Sequence, residues 1–193
     1  MHDSTFRPDE LTLLCHPQTP APFVRSLSAR AERTPDGGLI FVYTLSGDLI
    51  RLRIPPPGTT DRHDRLWEHT CCEAFIAVAG DPAYRELNFS PSGQWAAYAF
   101  SAYRRPQTFD EAASAPALGS RLSPGRLELT ARVGAGLLPR GAATQTLHVG
   151  LTAVVESAET VDGERSYWAL RHAGEHPDFH HRETFVLTLP APG

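Results

Sequence analysis

Residues 66–76 read LWEHTCCEAFI, and residues 84–95 read YRELNFSPSGQW. The alternation of side chains predicts a β-strand over 70–78 and another over 84–90. Between them, Gly80-Asp81-Pro82 supplies the residue types that favour a turn. The two strands are therefore expected to be neighbours in an antiparallel sheet.

Each of these two strands has one apolar face and one mixed face, because successive side chains of a strand point to opposite sides. The apolar positions are Cys72, Ala74, Ile76, Val78, Leu87 and Phe89. The opposite positions are Glu73, Phe75, Ala77, Tyr84, Glu86, Asn88 and Ser90. We interpret the apolar faces as core. If the strands pair, the polar groups of the opposite faces form one patch.

The rest of the chain is also rich in β periodicity. Further strands are predicted over 11–15, 23–31, 39–45, 50–54, 95–103, 126–133, 145–156, 166–171 and 183–189. Turn residues at 46–48 predict a hairpin between 39–45 and 50–54, whereas 104–125, with a helical turn at 109–113, and 134–144 are predicted loops. We expect an all-β fold: one β-sandwich domain over 1–193, jelly-roll or immunoglobulin-like, with little helix.

Composition limits the classes of function. The chain has 193 residues, of which 41% are hydrophobic and 21% charged, as in soluble globular proteins. Its formal net charge of −4 gives no electrostatic argument for a nucleic-acid or anionic-membrane partner. No secretory signal, membrane-spanning stretch or disulfide framework is apparent, so a cytoplasmic location is expected. The oligomeric state is left open.

The patch on the two strands has the chemistry of a sugar site. Carboxylate and amide oxygens accept hydrogen bonds from hydroxyl groups, and amide and guanidinium groups donate them. Aromatic rings offer flat apolar surfaces on which the C–H face of a sugar ring can stack. The alternative is that these side chains form the solvated outer face of a sheet.

The run from Leu66 to Arg104 resembles the DOMON-like superfamily, and within it the family 9 carbohydrate-binding modules. The residues that carry this resemblance are Trp67, Glu73, Phe75, Tyr84, Glu86, Asn88, Pro91 and Gly93. The segments at 167–172 and 177–180 are similar to those of a stand-alone bacterial subgroup of unassigned function. The resemblance implies a β-sandwich that holds a ligand, sugar or haem, at one sheet. Fold alone does not fix the ligand.

We therefore predict non-catalytic binding of a small polar ligand, a carbohydrate. Hydrogen bonds to ligand hydroxyls are assigned to Glu73, Glu86 and Asn88, with Arg104 as a further donor. Stacking is assigned to the aromatic residues Tyr84, Trp95, Trp67 and Trp168. A catalytic pair formed by the two glutamates is the enzymatic alternative, and it depends on their separation.

The nine histidines support two competing hypotheses. The first is a haem-binding electron-transfer domain with His ligation. Because Met1 is the only methionine, a Met/His axial pair is excluded. The second is a divalent-metal site, or a metal-dependent enzyme, built on 172–181, with His176, Asp178 and His180 as candidate ligands.

The adjacent cysteines are predicted to differ. Cys72 falls on the apolar face of the first strand and is expected to be a small buried hydrophobic residue. Cys71 falls on the mixed face, where partial accessibility is expected.

Overall fold

The computed structural model describes residues 10–108, 114–159 and 163–193. Within these ranges, twelve β-strands are present. They are β1 (Leu11–Cys15), β2 (Val24–Arg33), β3 (Leu39–Gly47), β4 (Cys71–Val78), β5 (Tyr84–Phe89), β6 (Trp95–Ala102), β7 (Arg105–Gln107), β8 (Ala117–Ser123), β9 (Arg126–Val133), β10 (Leu147–Glu156), β11 (Arg165–Ala169) and β12 (Leu187–Leu189).

Helical structure in the described ranges is limited to short 3₁₀ segments. They cover Leu49–Arg51, Leu66–Glu68, Ala135–Leu137 and Arg182–Thr184. None of the described helices is long and apolar enough to cross a membrane.

The strands form two antiparallel sheets that share β1. Sheet 1 has the order β1-β2-β3-β9-β8, and sheet 2 the order β7-β6-β5-β4-β10-β11-β1, with β12 also paired to β10. Residues 11–13 of β1 pair with β2, whereas Leu14 and Cys15 pair with β11. A strand that passes from one sheet to the other closes one side of a sandwich. The prediction of an all-β sandwich is confirmed.

The main core lies between the two sheets. Phe41 of sheet 1 and Phe89 of sheet 2 meet with ring centroids 5.8 Å apart. The buried Tyr43 hydroxyl donates to the Glu73 carbonyl across the sandwich at 2.7 Å. Such a contact satisfies a polar group in the interior while it fixes the relative position of the sheets.

The strands predicted over 70–78 and 84–90 are β4 and β5, and they pair as expected. Glu73 lies opposite Asn88, and Phe75 lies opposite Glu86. The apolar face, with Cys72 among it, packs in the main core. Accessibility of Cys71 was a wrong expectation: its side chain is fully buried beneath Leu66 and Ala96.

The predictions for 50–54 and 104–125 were partly wrong. Residues 50–54 form no strand beside β3, because both edges of β3 are occupied, by β2 and by β9. Ile50 is 91% exposed rather than buried. The predicted loop at 104–125 contains β7 and β8. Their side chains are mostly exposed and none is fully buried, so the hydrophobic signal of these strands is weak. The predicted helical turn at 109–113 lies outside the described residues.

Candidate functional site

A second apolar cluster lies on the outer face of sheet 2. It is covered by residues 170–186, which we call the strap. Phe179 and Phe185 of the strap pack on Phe75, with ring centroids 6.4 and 5.8 Å away. Gly150 of β10 leaves room for this contact, since a Cβ at that position would lie 3.1 Å from Phe185 Cδ1. Part of the outer face of sheet 2 is therefore buried beneath the strap.

The strap does not fill the whole face, and a cavity of about 450 Å³ remains. That volume lies in the range of pockets that hold a small ligand. The cavity is lined by Trp67, Glu73, Phe75, Glu86, Tyr98, Phe100, Arg104, Pro106, Val154, Tyr167, Pro177, Phe179 and His180. Most of these residues are aromatic or apolar, with a few polar groups among them.

Two carboxyl groups lie in this cavity, one from β4 and one from β5. Glu73 is 2% exposed and Glu86 is 6% exposed. The register places them diagonally on adjacent strands, on the same face of the sheet. The cavity therefore carries both acids on one wall.

Each carboxyl group has neutral hydrogen-bond donors. The Thr152 hydroxyl donates to Glu73 Oε2 at 3.3 Å, and the Cys71 thiol donates to Glu73 Oε1 at 3.5 Å. The Asn88 side-chain amide donates to Glu86 Oε1 at 2.9 Å. These contacts orient the carboxyl groups without supplying positive charge.

Burial raises the pKa of both glutamates, because a charged carboxylate loses its hydration in the interior. The charge of Glu86 raises the pKa of Glu73 further. Burial has the opposite effect on a base: it lowers the pKa of His180 to about 4, with the positive charge of Arg104 acting in the same direction. His180 is therefore neutral at pH 7.

Hydrogen bonds attach the strap to the edge of the cavity. The Tyr84 hydroxyl lies 2.8 Å from His180 Nδ1 and accepts from the Arg104 backbone N–H at 3.2 Å. Since that hydroxyl accepts from the N–H, its own proton is available to His180 Nδ1. Arg104 Nη2 pairs with Asp178 Oδ1 at 2.9 Å. The imidazole and the guanidinium are thus held by partners on different elements.

An exposed tryptophan lies at the mouth of the cavity. Trp67, in the 3₁₀ segment before β4, is 37% exposed. Its ring contacts Tyr98 edge-on, with centroids 5.6 Å apart. The Tyr98 hydroxyl donates to Asp64 at 3.0 Å, which fixes that ring. Two aromatic rings are therefore available at the entrance.

The residues predicted as ligand contacts fall into three groups. Trp67, Glu73, Glu86 and Arg104 line the cavity. Tyr84 and Asn88 lie behind it, fully buried, where they hold His180 and Glu86.

Trp95 and Trp168 form the third group, and the structure does not bring them to the cavity. Trp95 packs in the main core, because its side chain points to the same, inner side of β6 as that of Ala97. Trp168 belongs to the same core, with its indole N–H donating to Ser166 Oγ at 2.9 Å. The stacking role predicted for these two rings needs an exposed face that neither has: they are 8% and 7% exposed.

The candidate metal ligands point to separate partners. His176 Nδ1 lies 2.9 Å from Gln18 Oε1. Asp178 pairs with Arg104, and His180 packs against Tyr84. In the part of the chain that the structure describes, no group of three or more His, Cys, Asp or Glu side chains is arranged to hold a metal ion.

Sequence reasoning missed several walls of the cavity. Tyr98 and Phe100 come from β6, and Phe179 comes from the strap. The β6 residues carried a signal, since alternation within 95–103 puts both rings on the face opposite Trp95. The position of the strap could not be predicted, because an irregular segment has no periodicity that indicates where it folds back.

Comparison with known proteins shows the fold. No protein-family model matches the sequence, and no curated protein matches it either. The chain is similar to the solved structure of a Bacteroides uniformis protein for which carbohydrate binding has been suggested, with a TM-score of 0.64 at 18% identity over 94% of this chain and 85% of that one.

A second similar structure is a family 9 carbohydrate-binding module from Caldicellulosiruptor kristjanssonii in complex with glucose. The TM-score is 0.57 at 8% identity, over 95% of this chain and 85% of that one. At such identities the likeness concerns the fold. The resemblance to family 9 carbohydrate-binding modules, carried by residues 66–104, is confirmed as a shared β-sandwich architecture.

Proposed function

We propose that this protein binds a carbohydrate, without catalysis, in the cavity between sheet 2 and the strap. The observation that carries the proposal is the cavity itself, of about 450 Å³, with aromatic walls and two carboxyl groups on one side. The similar structures support the proposal, because one of them was solved with glucose bound.

The roles follow from position. Glu73 and Glu86 accept hydrogen bonds from ligand hydroxyl groups, and Arg104 donates from the rim. Trp67 and Tyr98 offer rings at the entrance for stacking on the sugar. Asn88 and Tyr84 act indirectly, by holding Glu86 and His180. This assignment retains four of the residues predicted from the sequence and adds Tyr98.

The placement of the acids supports binding over hydrolysis. In glycosidases the two carboxyl groups flank the bond that breaks. Here both come from one face of adjacent strands and lie on the same wall of the cavity. Two carboxyl groups in this arrangement can hydrogen-bond to the same side of a ligand.

Isothermal titration of the purified chain with glucose, xylose and cellobiose tests the proposal. We expect saturable binding that is lost in Trp67→Ala and weakened at least about tenfold in Glu86→Gln, which is a loss of about 1.4 kcal/mol. Thermal shift gives a second measurement, since a ligand at 100 times its Kd stabilises by about 2.7 kcal/mol.

Glu128→Gln is the matched control. Glu128 lies on β9, in sheet 1, and pairs with Arg126 at 3.4 Å. Its substitution removes the same charge far from the cavity and should leave affinity as it is. Equal loss of affinity in Glu128→Gln, or no binding of any sugar at millimolar concentration, would overturn the proposal.

A further inference from the structure

Resting on the sugar-binding function proposed above, we infer that the cavity prefers a sugar that carries a protonated amine over the corresponding neutral sugar. The ammonium group would lie against Glu73 and Glu86. The ligand class is thus an amino sugar, and the distribution of charge in the cavity points to it.

Glu73 has no cation beside it. Among the described residues, no basic side chain lies within 4.0 Å of its carboxylate, and its donors are the Thr152 hydroxyl and the Cys71 thiol. A buried carboxylate is costly unless a cation accompanies it. When Glu73 is ionised, no cation of the described residues therefore balances its charge.

Glu86 has a basic group nearby, but one without charge. His180 Nε2 lies 3.6 Å from Glu86 Oε2. Burial lowers the pKa of His180 to about 4, so this ring is neutral over the range in which the glutamates ionise. Arg104 lines the cavity too, and its positive charge lowers the pKa of Glu86 against the effect of burial, but its guanidinium pairs with Asp178 at 2.9 Å. One cation therefore faces two carboxyl groups, Glu86 and Asp178.

The wall around the acids is aromatic. Phe75, Phe100, Tyr98, Trp67, Tyr167 and Phe179 all line the same cavity. Aromatic rings attract cations through the negative charge of their π faces, and the attraction strengthens where water is excluded. The rings offer stacking to any sugar, but the combination of rings with unbalanced carboxylates favours a positively charged one.

An amine and a hydroxyl differ in what they do to the buried charge. A hydroxyl can donate a hydrogen bond to a buried carboxylate, but it leaves the negative charge in place. An ammonium group donates up to three hydrogen bonds and also neutralises the charge. It should therefore gain more than a neutral sugar does from ionisation of the pair.

This difference predicts that the advantage of the amine over the neutral sugar depends on pH. Burial raises the pKa of both glutamates, so raising the pH from 5 to 7 ionises a larger part of the pair. The other titratable groups around the pair are Cys71, Cys72, Tyr43, Tyr84, Tyr98, Arg104, Asp178 and His180. Burial raises the pKa of the thiols and the phenols, and hydrogen bonds from Tyr103 and Arg104 offset the effect of burial and hold the pKa of Asp178 low.

The test compares glucosamine, N-acetylglucosamine and glucose by isothermal titration at pH 5 and pH 7, with galactosamine and galactose as a second pair. We expect an amino sugar to bind at least about tenfold tighter than its neutral parent at pH 7, an advantage of about 1.4 kcal/mol. The advantage should shrink at pH 5. Binding at pH 7 should release protons, measured as a dependence of the heat on the ionisation enthalpy of the buffer.

The variants Glu73→Gln and Glu86→Gln should each reduce the ratio of amine to neutral affinity to less than about threefold. The comparison of sugars on the unaltered chain needs no variant, so it decides the question even if a variant unfolds. N-acetylglucosamine keeps a nitrogen substituent on the ring, but its amide carries no charge. It should therefore bind no more tightly than glucose.

The outcomes are distinguishable. If glucose binds as tightly as glucosamine, or if N-acetylglucosamine gains as much, the inference is overturned while the sugar-binding function stands. If no sugar binds, both are overturned. Tight binding of glucosamine with weak or absent binding of glucose supports both.

Discussion

The two faces of β4, in the middle of sheet 2, are both buried and yet have different surroundings. On the inner face, Ala74 and Ile76 of β4 pack against sheet 1 without exposure. On the outer face of the same strand, Glu73 is also almost unexposed, but it lines a cavity. Alternate residues of one strand therefore belong to a core and to a candidate binding site.

Burial alone does not distinguish the two faces. The side chains of sheet 1 interdigitate with those of the inner face of sheet 2, so the two sheets pack closely. The strap is irregular and covers only part of the outer face, so volume remains beside the acids. Unfilled volume beside two buried acids is what makes the outer face a candidate site.

The largest effect should come from comparing the tryptophans of the two regions. Trp95→Ala removes a ring from the main core, and we expect the free energy of unfolding to fall by about 3–5 kcal/mol. Trp67→Ala removes a ring that is 37% exposed, and stability should change by less than about 1 kcal/mol. Urea denaturation of both variants measures the difference.

Sugar affinity should show the reverse order. The folded Trp95→Ala variant should retain binding, because its ring lies on the other side of the sheet, whereas Trp67→Ala should lose it. Equal destabilisation by the two substitutions, or loss of binding in both folded variants, would contradict the division of the sheet into two functional faces.

A smaller effect is expected from the charge on the outer face. The folded-state pKa of Glu73 is raised by burial above the unfolded value of about 4.3, so the folded protein binds more protons than the unfolded chain above that pH. The stability contributed by protonated Glu73 is complete below about pH 4.3 and is lost as the pH rises toward the raised pKa.

Glu73→Gln removes this dependence. Its unfolding free energy should fall less than that of the unaltered chain between pH 5 and pH 8, by on the order of 1 kcal/mol. Denaturation at a series of pH values measures the two slopes, and Glu128→Gln serves as the control. Parallel slopes for Glu73→Gln and the unaltered chain would mean that Glu73 titrates normally.

The smallest effect concerns the attachment of the strap. Tyr84→Phe removes the hydroxyl that contacts His180 and accepts from Arg104, and we expect a loss of roughly 1 kcal/mol. Hydrogen exchange should quicken in residues 178–185 while β4 stays protected. Tyr103→Phe, which removes an exposed hydroxyl from Asp178, is the control and should change exchange less. Uniform quickening across the sheet would count against a local role.

The sequence by itself determined the strands and the side of each strand on which a residue lies. The faces of β4 and β5 followed from a period of two, which is a local property of the extended chain. The register that places Glu73 opposite Asn88 came only from the structure. The resemblance in residues 66–104 led to the fold that the similar structures share.

The tertiary structure decided what covers each face. Only the fold places the strap over sheet 2, buries Cys71 and closes both edges of β3, so that 50–54 forms no strand. Only the fold separates Trp67, at the cavity, from Trp95 and Trp168, in the core. These outcomes depend on contacts between segments distant in the chain, which periodicity within one segment cannot specify.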